Sequence, residues 1–343
     1  MPITIITDIN KIPIDQWDNF IEDHPNGTVF QSHSMYLLFR NTKKFKPVII
    51  AAFDDDKLIG ICLCTIIREY SSKIGFLTSR TVSYGGPIID NNVLNTNEIL
   101  DLILKKLIKK VKNKSVFIQF RNFFDWKERK EIFYNNNFNY LDRLNFLVDT
   151  TSELAVKKKM SSSKLRQVKK SLKEGAEIID PENIDQVREF YNILYSLYKY
   201  KVKKPLPHWS FFKNFYEQSK KGKLGIIKLI KYKGEIVGGI LSPLLKEKVI
   251  YEWYICGLDR EHKNVYPSVL ATWAAIDYAI NNNLQVFDFM GVGVPNRDYG
   301  VREFKSKFGG EMVNFGRLGR INNKILYAIT EVGFNVLAWL KKI

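Results

Sequence analysis

The chain repeats itself once, and that repeat constrains its fold more than any other feature. Residues 47–67 and 224–245 each read as a β-branched apolar run, a polar turn and a second apolar run, the pattern of a hairpin. Gly60 and Gly238 occupy equivalent places in the two, 178 positions apart. Farther on, residues 98–120 pair a helix-periodic segment (Ile99, Leu100, Ile103, Leu104, Leu107) with a strand-like run from Val116 to Phe120. Residues 268–290 pair a similar segment (Val269, Leu270, Trp273, Tyr278) with the run from Val286 to Phe289. Val116 and Val286 are 170 positions apart, so the two offsets differ only by a loop's worth of chain. Hairpin, further strand, helix and strand, twice over, predict an α+β chain of two halves, each a mixed sheet flanked by helices. The boundary is expected near residue 150, giving domains 1–150 and 151–343.

A basic segment, residues 157–175, opens the second half. Ser162 or Ser163 is suited to cap a helix there, and Gly175 to end it. Leu165, Val168 and Leu172 form a narrow apolar stripe, which directs Lys164, Arg166, Lys169, Lys170 and Lys173 outward. The whole chain carries 53 basic and 36 acidic residues, a net charge of +17 over 343 residues. That excess favours a polyanionic partner (nucleic acid, a pyrophosphate-linked substrate or an anionic membrane face) unless it is only the mark of a lysine-rich composition. Cys62, Cys64 and Cys256 lie in apolar strand-like runs without histidine or cysteine at ligand spacing. They read as buried thiols of a reducing compartment, with no metal. The first residues lack the basic and apolar regions of a signal peptide, and no apolar run is long enough to cross a bilayer. The expectation is a cytoplasmic protein with no cofactor. Residues 322–343 form an amphipathic basic pattern that either lies on the inner face of the membrane or packs on its own domain.

Chemistry is most legible in residues 287–311, where a buried strand runs into a Gly/Pro/Asn loop and then a short helix. Asp288 sits near the strand end; Lys305 and Lys307 follow the loop. Loops at strand ends are where open α/β sheets carry their chemistry. The Gly291-Val-Gly293 triplet alone is too little for a dinucleotide fingerprint. Glu252 stands inside an apolar strand-like run and is either an outward-facing strand residue or a general base whose pKa burial would raise. His208, in a Pro-rich loop over residues 201–212 that would suit a lid, is either a proton acceptor or a surface histidine beside Trp209.

Phe287-Asp-Phe-Met-Gly291 followed by Phe304-Lys-Ser-Lys-Phe-Gly-Gly310 resembles the C-terminal signature of the Fem family of peptidoglycan interpeptide-bridge aminoacyltransferases. Three other segments are similar to that family in the same order. They are Phe30-Gln-Ser32 with Tyr36, Ser83-Tyr-Gly-Gly-Pro-Ile-Ile-Asp90, and the basic stretch from Lys164 to Gly175. The resemblance spans roughly residues 12–315. It implies two tandem GNAT-like (acyl-CoA N-acyltransferase) domains around a cleft, in which an amine on a cell-wall precursor attacks an aminoacyl ester carried by tRNA. The family's catalytic lysine corresponds to Lys305, whose ammonium would stabilise an oxyanion. Glu252 and Asp288 are the remaining catalytic candidates. Arg40, Lys164 and Arg166 correspond to basic positions that meet precursor phosphates. Tyr84, Gly85, Tyr299, Arg302 and Phe304 complete the substrate-binding candidates.

The implied partners are an aminoacyl-tRNA or another activated acyl donor, and a phosphate-containing cell-wall or glycan precursor. Peripheral membrane contact would suit a lipid-linked acceptor. Acyl-CoA is the competing donor, on an amino sugar or amino acid acceptor. GNAT enzymes bind its pyrophosphate through a glycine-rich turn, and the corresponding Arg260–Ser268 stretch contains no glycine. A binding module without catalysis is the third alternative.

Overall fold

The computed structural model describes residues 3–69, 75 and 78–329. The chain forms two compact units: residues 1–142 with 315–343, and residues 143–314. Each carries one eight-stranded mixed sheet.

In the first unit the strands are β1 (Ile3–Ile6), β2 (Phe45–Asp54), β3 (Lys57–Ile67), β4 (Arg80–Tyr84), β5 (Ile88–Ile89), β6 (Phe117–Arg121) and β7 (Asn139–Leu141), joined by β16 (Arg317–Ile321). Their order is β1-β2-β3-β4-β6-β16-β7, with β5 also on β3. Its helices include α1 (Ile14–Asp23), α2 (His33–Arg40), α3 (Thr96–Val111) and α4 (Lys130–Asn135). The periodic face of α3 (Ile99, Leu100, Ile103, Leu104, Leu107 and Val111) is buried with Ile50, Cys62, Ile118 and Phe120 of the sheet. Each such side chain contributes about 1.5–3 kcal/mol.

The second unit has β8 (Leu144–Asp149), β9 (Glu177–Ile179), β10 (Gly225–Tyr232), β11 (Glu235–Leu245), β12 (Val249–Tyr251), β13 (Tyr254–Gly257), β14 (Val286–Asp288) and β15 (Glu311–Asn314). Their order is β15-β8-β14-β12-β11-β10-β9, with β13 also on β11. Its helices are α5 (Glu153–Lys159), α6 (Ser162–Lys173), α7 (Ile184–Leu197), α8 (Trp209–Ser219), α9 (Pro267–Asn281) and α10 (Gly300–Ser306). Proline at N1 starts α9, and its alanines at 271, 274, 275 and 279 are buried, so it lies close on the sheet.

The repeat extends to a shared defect. Gly60 pairs with Ala52 and Leu58 with Phe53, leaving Ile59 as the extra residue of a bulge. Gly238 pairs with Ile230 and Ile236 with Lys231, leaving Val237 extra. Both pairs, 59 with 237 and 60 with 238, keep the offset of 178. The glycines are needed because a helix crosses there. A Cβ on Gly60 would lie 3.1 Å from Ile99 and Ile103 of α3. On Gly238 it would lie 2.7 Å from the Cys256 carbonyl and 3.2 Å from Pro267 of α9.

The compact units divide the chain differently from the expected boundary at 150. Strand β8 belongs to the second sheet, pairing with β14 and β15 and burying Leu144, Phe146 and Val148 in that core. The chain then returns to the first sheet, where β16 pairs with β6 and β7. Residues 324–329 are helical, with Asn323 Oδ1 capping Leu326 N; the rest of the amphipathic segment expected at 322–343 lies outside the described residues. Among the described residues no helix is long and apolar enough to cross a membrane. All three cysteines are free and buried.

Candidate active site

Both sheets split at the same place. Strand β11 is paired with β13 over Gly238–Leu241 and with β12 at Leu244 and Leu245. Strand β12 runs parallel to β14 up to the pair Tyr251–Asp288, and the next residue, Glu252, donates its N–H to the Asp288 carbonyl at 2.9 Å. Glu252 therefore stands in the gap between β12 and β13, beside the last residue of β14.

Beyond Asp288 the chain folds back through Met290 (φ 57°), Gly291 (φ 123°) and Gly293 (φ 92°). Val292 N and Gly293 O bond to Leu144 on β8. This reversal turns the carbonyls of Phe289 and Gly291 toward α10, where Lys305 Nζ donates to them at 2.7 and 3.3 Å. The third bond of the ammonium goes to Glu252 Oε1 at 2.9 Å. All three donors are thus engaged, and an oxyanion would have to take the place of the longest bond. Asn145 on β8 completes the cluster. Its Nδ2 donates to Asp288 Oδ1 at 2.7 Å, and its Oδ1 accepts from Gly291 N at 2.7 Å. Met290 N also donates to Asp288 Oδ1, at 2.5 Å. No described residue donates to Asp288 Oδ2.

The three charged groups are buried: Asp288 is 2% exposed, Glu252 5% and Lys305 9%. Burial pushes the Asp288 carboxyl up to about 6, against the pull of Asn145, Met290 N and Lys305. Burial also raises Glu252, which Lys305 and the 3.4 Å bond from Thr272 pull back. Two carboxylates and one ammonium make a cluster of net charge −1 that sits close to taking up a proton.

The family-like motif around it has local reasons. Phe308 is buried in the core, and Gly309 (φ 85°) passes α5 so closely that a Cβ would meet the Lys159 carbonyl at 2.5 Å. Phe304 carries the Lys164 ammonium over its ring at 4.1 Å, with Phe308 at 5.5 Å. Lys164 is buried, contrary to the outward direction expected for it, because the buried stripe of α6 is Lys164, Val168 and Ser171; Leu172 is exposed. Burial and the neighbouring Lys307 lower Lys164 to about 8. Arg302 donates to the carbonyls of Val292 and Val294 and so pins the loop. Tyr299, partly exposed, lies against Gly293. Arg166 is exposed on α6. His208 caps α8, its Nδ1 accepting from Ser210 N at 3.1 Å.

The first unit has the same split with different chemistry. There β4 ends at the pair Tyr84–Arg121, and Gly85 N donates to the Arg121 carbonyl at 2.8 Å. By this ladder Gly85 matches Glu252 and Arg121 matches Asp288, each 167 positions apart. The expected alignment at 170 is therefore three residues out of register. Arg121 stacks on the Tyr84 ring at 5.0 Å and donates to its hydroxyl at 3.2 Å. The split itself is filled by Gln31. Its amide accepts from Leu63 N at 2.7 Å and donates to the carbonyls of Leu63 and Tyr84 at 3.1 and 2.8 Å. A Cβ on Gly86 would strike that amide at 2.6 Å. The Gln-Ser and Gly-Gly-Pro segments thus form one structural plug, and Tyr84 and Gly85 are part of it. Arg40 is exposed at the end of α2. The buried charged groups Glu252, Asp288 and Lys305 all lie in the second unit. Asn145, which orients Asp288 and fixes the Gly291 backbone, is a member that sequence reading missed; its one signal is a polar residue within the apolar run of β8.

The FemAB family profile matches residues 212–332, a stretch that holds Glu252, Asp288 and Lys305. No curated protein matches the sequence. Among solved structures the chain is similar to FemX, with a TM-score of 0.71 at 14% identity over 96% of this chain and 99% of that one. It is also similar to L-PGS from Bacillus licheniformis, at TM-score 0.57, 13% identity, 91% of this chain and 93% of that one. A tandem GNAT protein from the clavulanic acid biosynthesis pathway gives 0.57 at 7% identity, over 94% and 99% of the two chains. The chain thus shares the tandem GNAT-like fold of these structures, and residues 212–332 of its second half match the FemAB family.

Proposed function

We propose that the chain is a cytoplasmic aminoacyltransferase that moves an amino acid from aminoacyl-tRNA to the amine of a peptidoglycan precursor peptide. The observation that carries this is the buried Glu252–Lys305–Asp288 cluster, built from FemAB-family sequence. An acceptor amine arrives as an ammonium and must lose a proton before it attacks. Asp288, with a pKa of about 6 and Oδ2 unengaged by its neighbours, suits that proton. The amine then forms the C–N bond at the ester carbonyl, and the tetrahedral intermediate breaks the C–O bond to the ribose, whose oxygen takes the proton. Lys305 acts through Glu252 and the Phe289–Gly291 carbonyls, and its 3.3 Å donor is the one to turn toward the developing oxyanion.

Support for tRNA over CoA comes from the N-terminus of α9. Asp259 accepts there from Ser268 N at 3.1 Å and Ser268 Oγ at 2.6 Å. A carboxylate already occupies the position where a pyrophosphate would sit, and it repels an anion. The test is a transfer assay with labelled aminoacyl-tRNA or acetyl-CoA and a nucleotide-linked muropeptide. Label appearing on the peptide from tRNA alone is expected; transfer from acetyl-CoA alone would replace this reading with the N-acyltransferase one.

A further inference from the structure

Helix α7 runs on into one π-helical turn, Tyr198–Val202, and ends at Lys203 in the left-handed region (φ 53°). Residues 195–204 hold three tyrosines (Tyr195, Tyr198, Tyr200) and four lysines (Lys199, Lys201, Lys203, Lys204), with no acidic residue. Tyr200 is 69% exposed and Tyr195 50%. None of the four lysines makes an ion pair among the described residues. Helical turns of this kind, strained and exposed, recur where chains bind something.

Aromatic rings continue on both sides. Tyr195 neighbours Tyr191 at 6.1 Å, Tyr191 neighbours Trp209 at 5.4 Å, and the Arg188 guanidinium lies 3.7 Å over Trp209. In the other direction Tyr198 meets Tyr254 at 6.3 Å, the residue that opens β13 two positions after Glu252. The row therefore reaches the strand that follows Glu252 in the chain.

Exposed rings alternating with cations are the chemistry of single-stranded nucleic acid: a base stacks on each ring, and the phosphates between bases meet ammonium groups. A duplex, whose bases are already stacked, cannot use the rings. A membrane surface would want an apolar wedge beside the lysines, and Val202 is the one exposed aliphatic residue of the turn. We propose that residues 195–204 bind the single-stranded 3′ end of an RNA, with bases on Tyr195 and Tyr200 and phosphates on the four lysines. The inference rests on the aminoacyl-tRNA reading, because the activated ester of that donor sits on a single-stranded 3′ end.

The experiment uses the full chain, a short labelled single-stranded RNA ending in CCA, and a blunt duplex RNA, followed by fluorescence anisotropy across a salt series. Tyr200→Ala is expected to weaken single-strand binding about tenfold and leave duplex binding unchanged, whereas Tyr200→Phe retains it. Replacing Lys201, Lys203 and Lys204 together by alanine should reduce the salt slope by about two. Unchanged single-strand affinity in Tyr200→Ala, or an equal loss for duplex, overturns the proposal. So does a Tyr200→Ala defect confined to phosphatidylglycerol vesicles. Tyr200-dependent RNA binding without any transfer from aminoacyl-tRNA would keep the surface and reject the donor. Transfer with unaltered kcat/KM in Tyr200→Ala would keep the donor and reject the surface.

Discussion

Replacing Asp288 by asparagine should make the protein more stable at neutral pH while abolishing its activity. Asparagine has nearly the same shape, and its Oδ1 can still accept from Asn145 Nδ2 and Met290 N. What disappears is a buried negative charge. The gap between about 6 and the ordinary 3.8 corresponds to about 3 kcal/mol for holding that carboxylate ionised. The sign follows from linkage: a carboxyl raised in the folded state binds its proton more tightly there than in the unfolded chain. Native stability contributed by this group is therefore present below about pH 3.8 and lost as pH rises through about 6. Asp288→Asn removes the loss, so the gain should approach 3 kcal/mol above pH 7 and shrink toward pH 4.5. Urea unfolding of both proteins at the two pH values measures it. A variant that is less stable at pH 7.5, or a difference that ignores pH, would show that the carboxylate is better solvated than its surroundings imply.

Asn145→Ala removes a donor that favours the ionised Asp288, so the acid limb of kcat/KM should move above pH 6; an unmoved limb excludes Asn145 from proton transfer. Lys305→Ala leaves Glu252 buried without its partner and should cost about 3–5 kcal/mol by urea unfolding, most of it restored when Glu252→Gln is added. Equal stability of the single and double variants would mean that water reaches Glu252. Gly86→Ala drives a methyl into the Gln31 amide and should lower stability by about 1–3 kcal/mol in a thermal melt; a loss under about 0.5 kcal/mol would show that Gln31 can move aside.

How much of this was legible in the sequence depends on how far apart the interacting residues lie. The hairpins, and the glycines that let α3 and α9 cross them, are coded within some twenty residues each, and their offset of 178 survives down to the bulged residues Ile59 and Val237. The strand match at 170 slipped because residues of a strand look alike after a shift. Register is set by partners such as β4 and β12, which the strand itself does not name. Asp288 and Lys305 stood out because one continuous stretch holds both. Asn145 did not, since it is a neutral residue 143 positions from the carboxylate that it orients. Lys164 was misdirected by a helical stripe one residue out of phase; the Gln167 Oε1 acceptor and the rings of Phe304 and Phe308 make a buried lysine tolerable there. The boundary near 150 missed β8 because a strand carries no mark of the sheet it will join.

Between the two halves the backbone does nearly the same thing, and the chemical difference comes down to what stands where the central strand changes partner. In the first unit the pair is Gly85 and Arg121, with Gln31 filling the split through neutral hydrogen bonds. In the second the pair is Glu252 and Asp288, and the split is held by an ammonium. A buried amide makes a rigid joint whose bonds are independent of pH. Two buried carboxylates beside one cation make a joint that is one proton away from neutrality, at a cost in stability that the proposed proton-transfer role would account for. The same split strand thus holds a neutral structural plug in one half and a buried, titratable cluster in the other.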